Sequence, residues 1–346
     1  MKKEIARAIK VVLFLLAGIL LLWLAFRSVD FPKLIDSLKE ANYYWLILSL
    51  FFGLLAYLSR ARRWQLLIHP LGYAPSFWHT FHSLILGYMA NLALPRIGEI
   101  TRCVALGKKE KMPVDQLIGT VIIERTIDLL SVLVFLVILI LTSGVLINEF
   151  LLTHFLNPFK EKVLNLFGFT WIIWVIIALC FLIPLVLIIR YRKNLRKLNF
   201  FAKTFDLIKG VINGLKTITK LDRKWEFIGH TVFIWLNYAL MTWVVVFAIE
   251  STSDITFLQS FFILVIGSLA MSAPVQGGIG AFHYFVSRGL AVVHGVNLED
   301  GLVYALLTHE SQIIFVLIIG TISFFALFGR RFSRDSASDP ETDTPD

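Results

Sequence analysis

Polar and charged side chains surround a proline–glycine motif, residues 94–99, inside a strongly apolar stretch. Those best suited to bind a ligand are Asn91, Arg96, Glu99 and Arg102. Pro95 ends a helix and Gly98 permits a sharp turn, so a restarting helix points its amide hydrogens at the break. The guanidinium of Arg96 suits phosphate oxygens there. The motif predicts an anionic-headgroup site, unless Arg96 instead reaches the membrane surface and pairs with Glu99.

A second break of the same kind lies in the other half of the chain. Its helix-breaking residues are Pro274, Gly277, Gly278 and Gly280. The neighbouring Gln276, like Asn91 at the first break, suits either the freed backbone or a ligand. Irregular backbone persists in a membrane only when it is buried in protein or lines a cavity. Paired breaks in two halves therefore point to a transporter's binding site.

Ionisable residues also interrupt the apolar segments that follow the breaks. These residues are Glu124, Arg125 and Asp128 after the first break, and His283, Arg288, His309 and Glu310 after the second. Charge within a membrane is costly, so its presence indicates function. For Glu124, Arg125 and Asp128 we expect a gate or a headgroup contact or, alternatively, a self-neutralising ion cluster between helices. For the histidines the alternatives are a proton relay and hydrogen bonds to a neighbouring helix.

No sequence pattern indicates a metal or cofactor. His79 and His82 are three residues apart but have no third ligand in view. His309-Glu310 fails the zinc-protease pattern because Ile313 stands where the second histidine is needed. The two cysteines suggest neither a disulfide framework nor a metal cluster. We expect no metal, no cofactor and no enzymatic activity.

The composition is typical of an integral membrane protein: 57% of the residues are hydrophobic and the mean hydropathy is +0.76. The net charge of +9 does not indicate nucleic acid, because the Lys and Arg residues cluster beside apolar segments. No Ala-x-Ala-like cleavage site follows residues 11–26, which we interpret as an uncleaved span rather than a signal peptide. We expect a multi-pass protein of the bacterial inner membrane with both termini in the cytoplasm.

The apolar segments predict an all-α polytopic fold of about six full spans and two re-entrant hairpins. The hairpins are 81–106 and 257–293, whose pieces are too short to cross a bilayer. The full spans are predicted at 11–26, 43–59, 117–142, 169–189, 227–249 and 302–328. Residues 31–41 predict an interfacial helix, and residues 143–168 an outer loop.

The order span, hairpin, span occurs twice, at about 43–142 and 227–328. The predicted topology makes these units an inverted repeat whose hairpins meet, although two breaks could also arise by chance. We treat 1–330 as one domain and 331–346 as a disordered tail. Residues 190–226, rich in Lys and Arg, predict a cytoplasmic amphipathic helix on an anionic leaflet or, alternatively, a solvated basic loop.

Three motifs, in order, resemble a bacterial and archaeal membrane family. They are residues 91–99, Glu124-Arg125-x-x-Asp128 and residues 274–280. Over about 8–330 the chain is similar to the flippase-like transmembrane domain of lysylphosphatidylglycerol synthetase, the multiple peptide resistance factor. In two-domain members a soluble domain transfers lysine to phosphatidylglycerol, and the membrane domain is held to move the product outward. We see no segment large enough for that soluble domain and expect no aminoacyl transfer.

The resemblance implies a lipid translocase for a phosphate-bearing lipid, with or without an aminoacyl group. Arg96, Arg102 and the broken helix ends would hold the headgroup. The residues that would line or gate the path are Glu124, Arg125, Asp128, His309 and Glu310. No ATP site is visible in the sequence, so transfer would be downhill or ion-coupled.

Two other functions stay open at this stage. One is a non-transporting accessory protein that positions a partner enzyme through residues 190–226. The other is a membrane-embedded lipid-modifying enzyme with Glu124 or Glu310 as acid or base. Membrane lipids are the expected partners and nucleic acid is not; a homo-oligomer or a partner enzyme is left open.

Overall fold

The described part of the chain is helical throughout. The computed structural model describes residues 16–94, 97–151, 221–273 and 275–335, and the side chains among them except in 140–151 and 330–335. No strand occurs in these ranges, which confirms the all-α class. The α-helices are α1 (Leu16–Phe26), α2 (Phe31–Glu40), α3 (Tyr44–Ile68), α4 (Phe77–Ala93), α5 (Gly98–Glu110), α6 (Val114–Leu151), α7 (Lys224–Val244), α8 (Phe257–Met271), α9 (Ala281–His294) and α10 (Leu298–Asp335).

The chain divides into two compact units. The first unit combines residues 1–124 with 221–346, and the second is 125–220. The helices of both hairpins belong to the first unit, as do α3, α7 and α10. The first unit therefore contains everything needed to describe how the hairpins are held.

Three helices of the described part are long and apolar enough to cross a membrane. They are Tyr44–Leu71, Lys224–Ala248 and Leu298–Gly329. All three present large apolar side chains outward; Ile47, Val232 and Phe325 are each more than 60% exposed. Such outward-facing apolar surface is what a lipid solvent requires and what water disfavours. The predicted spans at 227–249 and 302–328 are confirmed as apolar helices of spanning length.

Helices α3 and α7 pack against each other through small residues. The Ser49 hydroxyl donates to the carbonyl of Met241 at 3.0 Å. The hydroxyl of Ser59 lies 2.8 Å from Nδ1 of His230. Small side chains allow close approach of helices, and their hydroxyls add hydrogen bonds across the interface.

The first hairpin is formed by α4 and α5, which touch backbone to backbone at two glycines. A Cβ atom added at Gly98 would overlap the carbonyl oxygen of Gly87, and one added at Gly87 would lie 2.7 Å from that of Gly98. No larger residue fits either position without moving a helix. The glycine after the predicted break is therefore needed for close packing as well as for the turn.

The second hairpin is formed by α8 and α9. Thr256 and Gln259 make a capping box at the start of α8, with the Gln259 side chain accepting from the Thr256 amide at 2.8 Å. At the break Gly277, Gly278 and Gly280 have φ of 56°, 78° and 81°. These left-handed values favour glycine, and α9 begins directly afterwards.

Three helices run further than the sequence predicts. Helix α3 continues past Arg60 to Ile68, because its arginines find partners inside the protein and need not end the span. Helix α6 continues to Leu151, into the predicted outer loop 143–168. A single glycine in a helix costs only about 1 kcal/mol, and the residues after Gly144 are again mostly apolar. Helix α10 continues to Asp335, so residues 331–335 of the predicted tail are helical.

Several predicted features lie outside the described residues. They are Pro95, Arg96, Pro274, the span at 169–189, the start of the first span and most of the basic segment 190–226. Residues 152–168 and 336–346 are also outside. The predicted total of six spans accordingly stays a prediction.

The contact between Gly87 and Gly98 predicts the effect of adding a single methyl group. Gly98→Ala should lower the free energy of unfolding by about 1–3 kcal/mol, because the new Cβ overlaps a backbone atom that no rotamer change can move. Thermal unfolding of the purified protein in detergent, followed by near-UV circular dichroism, measures this.

Gly119→Ala is the matched control, because nothing lies within 4 Å of a Cβ at that helical position. It should be neutral or stabilise by about 0.5–1 kcal/mol. Equal melting temperatures for the two variants would contradict the packing argument.

Candidate functional site

The two broken hairpins contact each other at their tips. Nε2 of Gln276 donates to the carbonyl oxygen of Ala93 at 2.9 Å. A Cβ atom at Gly277 would lie 3.4 Å from Cδ2 of Leu92. Since Ala93 ends α4, Gln276 satisfies one of the carbonyl groups that a helix end leaves without an intrahelical partner. The described tips therefore meet, as the inverted-repeat interpretation predicts.

Asn91 plays the equivalent part within the first hairpin. Its Oδ1 accepts a hydrogen bond from the amide of Gly98 at 2.7 Å. The amide belongs to the first residue of α5, whose N–H groups have no partner inside that helix. Of the two roles that the sequence allows Asn91 and Gln276, the structure shows bonding to the freed backbone.

Four charged side chains form a buried group beside the first hairpin, here called the arginine cluster. Its members are Arg60, Arg63, Arg102 and Glu124. Oε1 of Glu124 lies 2.8 Å from Nη2 of Arg60 and 3.5 Å from Nη2 of Arg63. Its Oε2 lies 3.0 Å from Nη2 of Arg102. One carboxylate thus contacts three guanidinium groups.

The arginine cluster is shielded from solvent. Glu124 and Arg63 are fully buried, and Arg102 and Arg60 are 2% and 6% exposed. Arg60 and Arg63 are three residues apart on α3 and therefore share a face, while α5 supplies Arg102 and α6 supplies Glu124. The cluster links the second predicted span, the returning arm of the first hairpin and the start of the next long helix.

Neighbouring polar and aromatic groups fix the guanidinium planes. Nη1 of Arg60 donates to the hydroxyl of Tyr238 at 3.0 Å. The guanidinium of Arg102 lies over the Trp64 ring, 4.6 Å from its centroid, a cation–π contact. The indole Nε1 of Trp64 in turn donates to the hydroxyl of Thr120 at 2.8 Å.

Three of the four side chains named in the cluster are guanidinium cations. Nε and Nη1 of Arg102 are buried and make no hydrogen bond to the residues that the structure describes. Buried guanidinium N–H groups bind oxygen anions strongly, and phosphate oxygens match their fork. The arrangement is chemically suited to receive an anion.

A second group of ionisable side chains, here called the His–Glu cluster, consists of His283 on α9 and His309 and Glu310 on α10. Oε1 of Glu310 lies 3.3 Å from Nε2 of His283 and 3.1 Å from Nδ1 of His309. Nε2 of His309 lies 2.8 Å from the carbonyl oxygen of Gly277, in the second break. His309 and Glu310, predicted as path residues, therefore contact the second hairpin.

The remaining predicted residues are not all in these two clusters. Arg125 and Asp128 belong to the second compact unit, and Glu99 is half-buried in the first turn of α5. His79 contacts Glu110, whereas Nδ1 of His82 lies 3.0 Å from the hydroxyl of Ser323. Those two histidines therefore have separate partners. The guanidinium of Arg288 lies 5.7 Å from the ring centroid of Tyr284.

Sequence reasoning missed Arg60 and Arg63 as site residues. It assigned them to the positively charged end of a span. A signal was nevertheless present: they are three residues apart, Trp64 follows, and an apolar run continues to Ile68. A helix that stays amphipathic beyond its arginines indicates that those arginines point inward.

The chain was compared with known proteins. Residues 7–320 match the family described as Lysylphosphatidylglycerol synthase TM region. UPF0104 membrane protein MJ1595 of Methanocaldococcus jannaschii is 27% identical over 122 residues, which are 34% of this chain and 36% of that protein. The alignment thus spans about a third of that relative's length. No solved structure matches the chain.

The arginine cluster predicts a large effect of neutralising its carboxylate. Glu124→Gln leaves three guanidinium groups without their shared anion, and removing one partner of a buried ion pair costs about 3–5 kcal/mol. We expect a correspondingly lower melting temperature and a smaller free energy of unfolding in detergent.

Glu226→Gln serves as the control, because Glu226 pairs with Arg62 where both side chains are about 30% exposed. A pair of that kind contributes at most about 1 kcal/mol. A Glu124→Gln variant as stable as Glu226→Gln would contradict the assignment of Glu124 as the buried counter-ion.

Proposed function

The chain belongs to the Lysylphosphatidylglycerol synthase TM region family, and from this premise we propose that it is a lipid translocase. It moves a lipid with a phosphate-bearing headgroup, aminoacylated or not, between the leaflets of the bacterial inner membrane. Both termini are cytoplasmic in this proposal, which assigns the chain no covalent chemistry.

One observation carries the proposal: Arg60, Arg63 and Arg102 share the single carboxylate of Glu124 in a buried position. Placing charge in an apolar interior costs free energy, so charged residues found there are by default candidates for a functional role. The Arg102 N–H groups that make no hydrogen bond to the described residues would bond the oxygens of an anionic headgroup. Glu124 keeps the arginines in place when no headgroup is bound.

The position of the cluster also supports a transport role. Arg102 lies on α5, directly behind the first break, and α5 begins with the amide of Gly98 held by Asn91. The tip of that hairpin contacts the second hairpin through Gln276. Paired broken helices that meet beside a charged group are the arrangement in which transporters bind their substrates.

Arg102→Ala is the variant that tests the proposal most directly. It leaves Glu124 in contact with Arg60 and Arg63, so the buried carboxylate keeps its counter-ions and the fold should persist. Purified protein would be reconstituted in liposomes with labelled phosphatidylglycerol, its lysylated form, or a glycolipid without phosphate, and leaflet exchange followed by quencher protection. We expect transfer of a phosphate-bearing lipid, lowered at least tenfold in the variant because its headgroup contacts are lost.

Arg62→Ala is the control for loss of an arginine outside the cluster, because Arg62 lies on α3 beside Arg60 and Arg63 but pairs with Glu226, where both side chains are about 30% exposed. It should transfer lipid at nearly the wild-type rate. Both variants must elute as the wild type does in size-exclusion chromatography. Equal transfer by Arg102→Ala and wild type, or no transfer of any phosphate-bearing lipid by folded wild type, would refute the proposal.

A further inference from the structure

We propose that the His–Glu cluster binds a divalent transition-metal ion of the zinc class. The ligand atoms are Nε2 of His283, Nδ1 of His309 and a carboxylate oxygen of Glu310, and all lie within 4.8 Å of one another. Two imidazoles and one carboxylate form a donor set that zinc favours. This site is separate from the arginine cluster and does not depend on which lipid, if any, is moved.

The distances fit an ion at the centre of the three donors. Oε1 of Glu310 is 3.3 Å from Nε2 of His283 and 3.1 Å from Nδ1 of His309. Zinc bonds of about 2.0–2.2 Å in tetrahedral geometry place neighbouring ligand atoms about 3.4 Å apart. The carboxylate oxygen therefore already lies near the required distance from both histidine nitrogens, which are themselves within 4.8 Å of each other.

The hydrogen bond from His309 to the backbone orients it as a ligand. A carbonyl oxygen can only accept, so Nε2 of His309, 2.8 Å from the Gly277 carbonyl, carries the ring hydrogen. Nδ1 then turns its lone pair toward the Glu310 carboxylate. Two acceptor atoms at 3.1 Å repel each other unless a proton or a metal ion lies between them. A ligand histidine that donates its other N–H to a carbonyl is the usual second-sphere arrangement.

His283 supplies an independent observation. It is 1% exposed, and its Nε2 lies 3.3 Å from the Glu310 carboxylate without making a well-aligned hydrogen bond to any of the described residues. A buried ring nitrogen left in this way calls for a ligand. Its Nδ1 is 3.4 Å from the amide of Gly280. Metal binding at Nε2 moves the ring hydrogen to Nδ1, which can then no longer accept from the Gly280 amide. A small rotation of the ring would lengthen this contact.

Solvent reaches the cluster at Glu310, whose side chain is 44% exposed. Three protein ligands with one open position leave room for water or an oxygen anion. The ion would tie α9 and the second break to α10, since the ligands come from both helices and the carbonyl of Gly277 holds His309. Binding is therefore expected to stabilise the second hairpin.

The test uses the full-length protein in detergent, stripped with a chelator and titrated with zinc sulfate by calorimetry. One zinc ion should bind per chain, and His283→Ala, His309→Ala and Glu310→Gln should each lower the affinity about tenfold or more. Cobalt(II) should give the visible absorption of a four-coordinate ion in the wild type but not in the three ligand variants. Zinc should also raise the melting temperature of the wild type but not of Glu310→Gln.

His294→Ala is the control, because His294 lies on α9 with His283 but outside the cluster. Its zinc affinity should equal that of the wild type. Absence of stoichiometric zinc from folded wild-type protein would overturn the proposal and leave a cluster held by shared protons. Equal affinities in His294→Ala and the three ligand variants would overturn it as well.

Discussion

The carboxylate of Glu124 is fully buried between three guanidinium groups, and the positions of α3, α5 and α6 depend on those contacts. Desolvating four charges is unfavourable, and only close mutual contacts offset it. Arg60 and Arg63 can enter the interior because Glu124 is there, which is why α3 passes its arginines and continues to Ile68. The same contacts fix the returning arm of the first hairpin beside a long helix.

At the breaks in the two hairpins, the polar backbone groups that the helix ends leave free also need partners. Asn91 satisfies the amide of Gly98, and Gln276 satisfies the carbonyl of Ala93 across the hairpin tips. Glycine provides close approach at Gly87 and Gly98 and left-handed backbone at Gly277 and Gly278. Broken helices in an apolar setting are stable here because side chains take over the missing backbone bonds.

The two clusters are chemically different, and each includes one residue of a different hairpin, Arg102 of the first and His283 of the second. The arginine cluster presents buried guanidinium N–H groups of Arg102, which suit the oxygens of a phosphate-bearing headgroup. The His–Glu cluster presents nitrogen and oxygen lone pairs beside the second break, as suits a cation. Family membership places the chain among membrane proteins. The two clusters indicate which kinds of ligand the chain is chemically suited to bind.

The sequence by itself determined the features that depend on local composition. Apolar length and the prolines and glycines gave the all-α membrane class, two of the three long helices to within a few residues, and the place of both breaks. The motifs around Glu124 and Gln276 also identified the family. Hydropathy did not predict that Arg60 and Arg63 are buried. A charged residue near the end of an apolar run has the same hydropathy whether its side chain faces water or a buried partner.

Only the tertiary structure decided which polar groups meet. Arg60 finds Glu124 from 64 residues away, and Gln276 finds Ala93 from 183 residues away. His283 joins His309 and Glu310 because α9 packs against α10. A single sequence records the types of these residues but not their pairing. Whether a buried charge is tolerated depends on partners that packing alone brings within reach.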